Sequence, residues 1–496
     1  MRRAGPLSPF IVIIDQGSSS TKVLAFDREG RQAYRSSRPL KIERLQPSHV
    51  EQNPIHVLEE TRLALDEVLS SIQNDGHEVS AIGLACQRSS FLLWNRVTGK
   101  ALTPIISWQD LRAKDLCVAL NLHRKTIYQK TGLPLTGHYG GPKFLWLIQN
   151  EPELSKSLTL PGTVYSPWNS FLLWHLTEER VWATDDSIAG RTLFFNIHER
   201  SWDKELLHLF MIPEQILPDI HPTCHLYGHY RFESSAVPIL CSIGDHQAAL
   251  LGLGGFEKGR CGLNYGTSAG VLVNIGSTPR IVEGLLTNIA HSTKNQVSYT
   301  VEGTVNAVGS LFEWFEREKG MEGSSTHWEE MIAPSSKGWF MLPGMYGIAA
   351  PYWKETAPTE FKGEGDFPPR GVLLRAGMES IAFLVADILD QLRSRSALKI
   401  DSVTAAGGAA RPPLLQFQAD LLGAPILHSS IADATSLGCA LLTGLQMGFW
   451  DETAIQDLIQ GDETFYPQMS PPKRQELLNG WHELLRTRGI LTEDRG

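Results

Sequence analysis

The sequence predicts an α/β protein of two domains with a cleft between them. Three observations lead there. The chain has 496 residues, more than a single hydrophobic core organises. Short runs of β-branched apolar residues alternate with amphipathic helical segments, the pattern of sheets covered by helices. One local arrangement, a strand, a Gly/Ser/Thr turn and a second strand, occurs near the start of each half, at 11–26 and at 263–275. The repetition reads as an internal duplication, two α/β domains with a nucleotide clamped between them.

The first turn carries the chemistry of that reading. Ile11, Val12, Ile13 and Ile14 read as a strand buried on both faces. It ends on Asp15, a carboxylate placed to bind a metal directly or through water. Gly17 lets the backbone come close to a ligand. Ser18, Ser19, Ser20 and Thr21 add hydroxyl donors and Lys22 adds a positive charge, a way to hold phosphate oxygens. The same residues also suit a β-hairpin with a polar tip, so this turn alone leaves both readings open.

Composition narrows the class. Apolar content of 42% and charged content of 20% are ordinary for a soluble globular chain. A formal net charge of −9 argues against general nucleic-acid binding and against a polybasic membrane anchor. No run of apolar residues is long enough to span a bilayer. Residues 1–9 read as a loose tail rather than a signal peptide, because Pro6 and Pro9 interrupt them and no apolar run follows. The six cysteines are scattered without a C-x-x-C pair, which points to reduced thiols in a cytoplasmic protein. The 16 histidines show no compact ligand spacing of the kind a structural zinc site needs.

In chain order, 54–72 reads as an amphipathic helix with Val57, Thr61, Leu65, Val68, Leu69 and Ile72 on one face. Strands follow at 79–85, 91–94 and 104–108. Ligands of α/β sheets sit beyond the carboxyl ends of strands. Asp15, then Arg88 with Ser89, then Trp108 with Asp110 all stand at such ends, and their convergence suggests a site. A surface ion pair between Arg88 and Asp110, with Trp108 in the core, is the structural alternative. Helices are expected at 111–122 and 143–149, with a Gly-rich loop around His138 between them. A helix apolar nearly all round covers 168–176, and a strand is expected at 190–196.

The strand at 239–243 stops at Gly244-Asp245-His246-Gln247. Asp245 there could cap the following helix or accept a proton from a substrate hydroxyl. Gly252, Gly254, Gly255 and Gly259 follow and suit a hinge. Next comes the second turn, Asn264-Tyr265-Gly266-Thr267. A helix is expected over 303–318, where Gly309 marks close approach of a ligand or a backbone. A long Gly/Pro-rich loop covers 344–369, and an amphipathic helix 375–392. A strand at 403–406 runs into Gly407-Gly408-Ala409, and a helix N-terminus behind two glycines suits a nucleotide. Helices over 435–449 and 472–488 close the chain.

Taken together, these ordered motifs resemble the FGGY carbohydrate kinases over about residues 11–450, with glycerol-kinase-like and xylulokinase-like features. The motifs that carry the likeness are 15–22, 190–197, 244–249, 264–267, 405–409 and 416–420. The resemblance implies two actin-like ATPase (ribonuclease H-like) domains flanking an interdomain cleft. It implies a tail at 1–9, an acceptor-side domain over 10–247 and a nucleotide-side domain over 248–496. It implies transfer of the γ-phosphate of ATP, with Mg²⁺, to a hydroxyl of a sugar or polyol. Asp245 would be the base, and Asp15 with Asp245 would hold the metal. Arg88, Ser89, Trp108, Asp110, His138, Asp245 and His246 would line the acceptor pocket. Gly17, Ser18, Ser19, Lys22, Gly266, Thr267, Gly309, Gly407, Gly408 and Ala409 would hold ATP. A homo-oligomer is compatible with all of this.

The sequence departs from the glycerol-kinase pattern at the acceptor. Ser89 stands where those members carry Glu, His138 where they carry Tyr, and His246 where they carry Gln. Asp110, the shorter 408–416 turn and Ala406 are closer to sugar kinases. A site that hydrogen-bonds particular hydroxyls discriminates through those groups. The expected acceptor is therefore larger than glycerol. Glycerol with an altered pocket is the alternative, and a non-catalytic nucleotide-binding regulator is the alternative of another class.

Overall fold

The computed structural model describes residues 9–396, 398–459 and 461–491. The expected tail at 1–9 therefore lies outside the described residues, except that Pro9 begins the first strand. Among the described residues three large sheets occur; one, of six strands, includes Thr163–Pro167, Phe91–Asn95 and His49–Gln52, and the other two position the site. The first has six strands in the order His229–Phe232, Ser235–Gly244, Glu78–Cys86, Pro9–Gln16, Ser20–Phe26, Gln32–Pro39. The second has seven, in the order Leu286–Ser292, Val297–Val305, Ala269–Gly276, Arg260–Tyr265, Ser402–Ala406, Ile426–His428, Glu463–Phe465.

Both sheets follow the same path. A strand and its hairpin partner lead to a third antiparallel strand on one side, while parallel strands add on the other. The second sheet carries Leu286–Ser292 as an additional edge. Parallel pairing explains why distant residues meet. Gln16 stands opposite Cys86, and Cys86 opposite Gly244, so three strands end level and release their next residues at one edge. The inner strands are buried on both faces, with Ile11, Val12, Ile13 and Ile14 at 0% exposure.

Two helices join the halves. Asp245–Gly252 and Ala434–Met447 cross at glycines. A Cβ at Gly438 would fall on the carbonyl oxygen of Ala248, and one at Gly252 on that of Ala434. The helix Ala434–Met447, late in the chain, lies on the first sheet: Leu437, Cys439, Ala440 and Leu441 share a core with Ile11, Ile13 and Leu24. No helix among the described residues is long and apolar enough to cross a membrane.

Several elements differ from expectation. The helix expected at 303–318 is a strand, Val297–Val305, and then a helix, Gly309–Lys319. Val305, Val308, Phe312 and Phe315 meet helical spacing only by counting across that boundary. The strand expected at 104–108 shrinks to Ile105–Ile106. The strand expected at 190–196 shrinks to Phe195–Asn196. Ahead of it Asp186–Ala189 forms a helical turn, and Leu193 adopts a φ of 75°. The apolar helix Trp168–Leu176 has the expected bounds.

Candidate active site

The first turn is a tight hairpin in which Asp15 pairs with Lys22 and Gln16 with Thr21. Inside it the N–H of Gly17 donates to the carbonyl of Ser20 at 3.1 Å. Buried glutamines hold the turn from below. The Ser18 hydroxyl donates to Gln87 Oε1 at 3.1 Å, and Gln52 Nε2 donates to the Ser18 carbonyl at 2.8 Å. The indole N–H of Trp108 donates to Ser18 Oγ at 2.7 Å, which ties the expected acceptor wall to the first turn. Ser19 is exposed at the tip.

Asp15 faces the second half of the chain. The Ser436 hydroxyl, in the first turns of Ala434–Met447, lies 3.4 Å from its Oδ2. Burial raises the Asp15 carboxyl to about 6; Lys22 opposes the rise, and the nearby Asp245 and Asp433 reinforce it. Asp245 opens the helix Asp245–Gly252 with its side chain 28% exposed. Its Oδ1 lies 3.3 Å from Arg88 Nε and accepts the backbone N–H of His246 at 2.8 Å. Asp15, Arg88 and Asp245 are thus brought together at one sheet edge.

Beneath Asp245 lies a buried ionic cluster whose centre, Glu302, the sequence reading missed. Glu302 is 3% exposed and comes from the second sheet. Arg88 grips it with two bonds, Nη1 at 2.7 Å and Nη2 at 2.9 Å, while Nη1 also reaches Gln247 at 3.2 Å. Arg191 Nη1 lies 3.5 Å and His246 Nδ1 3.3 Å from the same carboxylate. Burial opposes ionisation of Glu302, but the guanidiniums of Arg88 and Arg191 override it and hold the carboxyl well below its usual range. One observation could have signalled it: a carboxylate at the fourth position of the β-branched run 299–305.

The remaining acceptor-wall residues divide. His138 is partly buried, its ring 5.6 Å from Trp108 and 4.9 Å from Tyr139. Burial and then the charges of Lys143, Arg191 and Arg88 hold its imidazole well below its usual value, hence neutral. Ser89 takes a φ of 62° and its hydroxyl is buried without a hydrogen-bond partner. Asp110 is a correction. It is 0% exposed, and its oxygens accept from the Val50 N–H at 2.7 Å and from Arg112 Nε at 2.9 Å and Nη2 at 2.9 Å. It braces the Arg112 loop and leaves no lone pair facing a substrate. The alternative ion pair of Arg88 with Asp110 does not form either: each takes a different partner.

Lys22 is also placed otherwise than expected. Its ammonium binds Asp433 at 2.8 Å, and Arg35 binds the other oxygen of Asp433 at 2.7 Å, so these cations tie the first sheet to the second half. In the second sheet, Gly266 and Thr267 form the exposed turn between Arg260–Tyr265 and Ala269–Gly276. The close approach at Gly309 is backbone: a Cβ there would meet the Gly266 carbonyl at 2.9 Å. Gly407 has a φ of 104°, and a Cβ on it would strike the Tyr265 carbonyl. At Gly408 a Cβ would meet nothing within 4 Å. The two glycines are exposed, while Ala409 is buried and donates its N–H to the Tyr265 carbonyl at 3.0 Å.

Two Gly/Ser/Thr turns thus stand on separate sheets, and Asp15 and Asp245 lie within electrostatic reach of each other at the edge of the first. The N-terminal domain of the FGGY carbohydrate kinases matches residues 10–252, and the C-terminal domain matches 261–447. The chain belongs to the FGGY family of carbohydrate kinases.

Relatives of this kinase include the glycerol kinase of Limosilactobacillus reuteri (strain DSM 20016), 32% identical over 486 residues, 96% of this chain and 97% of that one. The glycerol kinase of Shewanella oneidensis is 34% identical over 489 residues, 97% of this chain and 99% of that one. Among solved structures, Plasmodium falciparum glycerol kinase with ADP superposes with a TM-score of 0.91 at 28% identity, covering 98% of this chain and 99% of that chain. A ligand-bound xylulose kinase from Lactobacillus acidophilus shares the fold, with a TM-score of 0.86 at 22% identity, covering 97% of this chain and 98% of that chain.

Proposed function

We propose that this kinase transfers the γ-phosphoryl group of ATP, across a groove between its two halves, to a hydroxyl of a polyol or sugar larger than glycerol, with Asp245 as the base. The observation that carries the reading is the placement of Asp245. Its carboxylate is partly exposed at the level strand ends, beside Arg88 Nε and within electrostatic reach of Asp15. Phosphoryl transfer asks the protein for positioning and charge stabilisation more than for covalent help.

Within this reading each residue has a task. Asp245 accepts the proton of the attacking hydroxyl. Arg88 is already held by Glu302, Gln247 and Asp245, so it orients the base and has little left to offer an acceptor. His246, Trp108 and neutral His138 supply the wall that an acceptor meets. The turn at 17–19 and the turn at 266–267 hold phosphates from either side, and Gly407 with Gly408 leaves room for the nucleoside. The domains implied at 10–247 and 248–496 supply the acceptor side and the nucleotide side. Closing them excludes water, which otherwise competes as acceptor.

Mg²⁺ fits the donor set in one way. Among the described residues no group of three or more His, Cys, Asp or Glu is gathered to hold a metal alone. Asp15 and Asp245 repel each other, and a cation between carboxylate and phosphates relieves that repulsion. Mg²⁺ bound there would neutralise charge on the transferring phosphate. A cytoplasmic location accords with reduced thiols, since all six cysteines are free.

The test is a coupled ADP-release screen with MgATP over glycerol, erythritol, pentitols, ketopentoses and ketohexoses. The reading expects the best kcat/KM with a chain longer than glycerol, and no turnover with any acceptor would overturn it. A second reading, glycerol itself, is favoured by the relatives at 32–34% identity, each a glycerol kinase. Glycerol giving the best kcat/KM would establish it.

A further inference from the structure

A cavity of about 820 Å³ lies outside the groove of Asp15 and Asp245. Its lining comes from both halves of the chain. Cys224 comes from the first half, Leu253 and Phe256 from the Gly-rich segment after Asp245–Gly252, and His291 from the edge strand of the second sheet. Leu442 and Leu445 come from Ala434–Met447, the helix that lies on the first sheet. None of the groove residues proposed above lines it. Its volume is that of small-molecule sites, and its wall sets apolar side chains such as Phe256, Leu427 and Leu442 beside a polar side of Ser, Thr, Asn and Gln.

Independent features point to an occupant. The second sheet is irregular at this wall: its ladder shifts register between Ile289 and His291, and again between Asn274 and Gly276. Such bulges re-aim side chains and are frequent beside sites. The His291 ring packs 5.8 Å from Phe256, and its Nδ1 is buried with no hydrogen-bond partner. Burial pushes that imidazole down to about 4, so it is uncharged at neutral pH. Burial holds the Cys224 thiol protonated, and the charged groups of the wall, Glu257 and Arg260, neutralise each other at 3.0 Å, with Arg260 further spent on Ser402 at 3.0 Å. No uncompensated charge is left to attract a phosphorylated effector.

We propose that this cavity is a second ligand site, taking an uncharged small molecule whose apolar body packs against the Phe256 and His291 rings and whose polar edge meets the Ser, Thr, Asn and Gln side chains of the wall. Its walls belong to both halves, so their relative angle sets its shape. A ligand that fits one angle better than another shifts the closure equilibrium, and nucleotide shifts ligand affinity in return. The site is independent of which acceptor the groove takes.

Indole is the probe, with indole-3-acetate as its charged counterpart, titrated into the full-length kinase by calorimetry and ligand-observed NMR. Saturable binding of indole at one site is expected, about tenfold or more tighter than indole-3-acetate. Leu445→Trp fills the cavity and should weaken indole by about tenfold or more. If that variant fails to fold, Gln446→Trp at the exposed rim serves the same purpose. Saturating indole should change the KM for ATP in the wild type and leave the filled variant unaffected. The site is refuted if indole does not saturate, if it binds a filled variant as well as the wild type, or if the anion binds equally well. Unchanged kinetic constants under saturating indole would overturn the coupling.

Discussion

Replacing Glu302 with Gln probes the cluster beneath Asp245, the proposed base. Glu302 is the one carboxylate that Arg88 grips with two bonds, at 2.7 and 2.9 Å, and it also answers Arg191 at 3.5 Å. Glutamine keeps the shape and one acceptor oxygen but removes the charge. Removing one partner of a buried ion pair costs about 3–5 kcal/mol, because the other charge stays behind undissolved. The retained neutral hydrogen bond returns about 1 kcal/mol, so a net loss of about 2–4 kcal/mol is expected. Urea unfolding reads this as a lower midpoint at unchanged slope.

The pH dependence has a definite sign. The folded-state value of Glu302 is depressed, so its contribution is complete above the ordinary carboxylate range and fades only as pH falls through the lower folded value. The difference between wild type and Glu302→Gln should therefore be flat from about pH 6 to about pH 9. Kinetically, Arg88 loses its anchor and Asp245 its fixed neighbour. A fall in kcat of about tenfold or more is expected, with the KM for ATP nearly unchanged. The double variant Arg88→Met/Glu302→Leu should regain stability but not activity. A Glu302→Gln enzyme with wild-type stability and wild-type kcat would refute the reasoning.

Other consequences can be checked separately. Asp245→Asn should lower kcat by about 10²–10⁴ while ATP still binds, read by single-turnover assay and nucleotide titration. Asp15 has a raised folded value of about 6, so its ionisation costs stability above that pH and the cost is relieved as pH falls through it. Mg²⁺ with ADP should thus raise Tm more at pH 8 than at pH 5, and Asp15→Asn should shrink that difference to the part that protonation of the ADP phosphate itself causes. Lys143 is fully buried on one hydrogen bond, to the Ser107 carbonyl at 2.6 Å, and burial lowers its ammonium to about 7. Its charge destabilises the fold most below pH 7, and the cost fades as pH rises from there toward the ordinary lysine value. Lys143→Met should accordingly stabilise the protein, more at pH 6 than at pH 9, by denaturant titration. Finally, Gly407→Ala should destabilise by about 1–3 kcal/mol through its positive φ and the Tyr265 carbonyl, whereas Gly408→Ala has free space and should leave Tm unchanged while raising the KM for ATP.

Much of the fold was legible where the signal was local. The strand 11–14, the helix Pro54–Asn74 and the apolar helix Trp168–Leu176 each announce themselves through a period or a composition that neighbours in sequence carry. The error at 303–318 arose because Val305, Val308, Phe312 and Phe315 keep helical spacing across a strand end and a loop. Periodicity is blind to such a boundary, whereas pairing with Ala269–Gly276 reveals it at once. At the groove, Asp15, Arg88 and Asp245 could be anticipated because each ends an apolar run. Asp110 ends one too, yet it turns inward to Arg112, a choice that no run of letters expresses.

The sequence by itself determined the two Gly/Ser/Thr turns, the carboxylates at strand ends, the glycines that let backbones touch, and through them the family. These are properties of contiguous residues, written in backbone freedom and side-chain chemistry. Only the tertiary structure decided which charges find one another. Glu302 reaches Arg88 from the other sheet, Asp433 captures Lys22, and a helix near the end of the chain roofs the strand that begins it. Those pairings follow from parallel register and from the burial of apolar faces summed over both halves, and neither quantity is present in any local stretch of the chain.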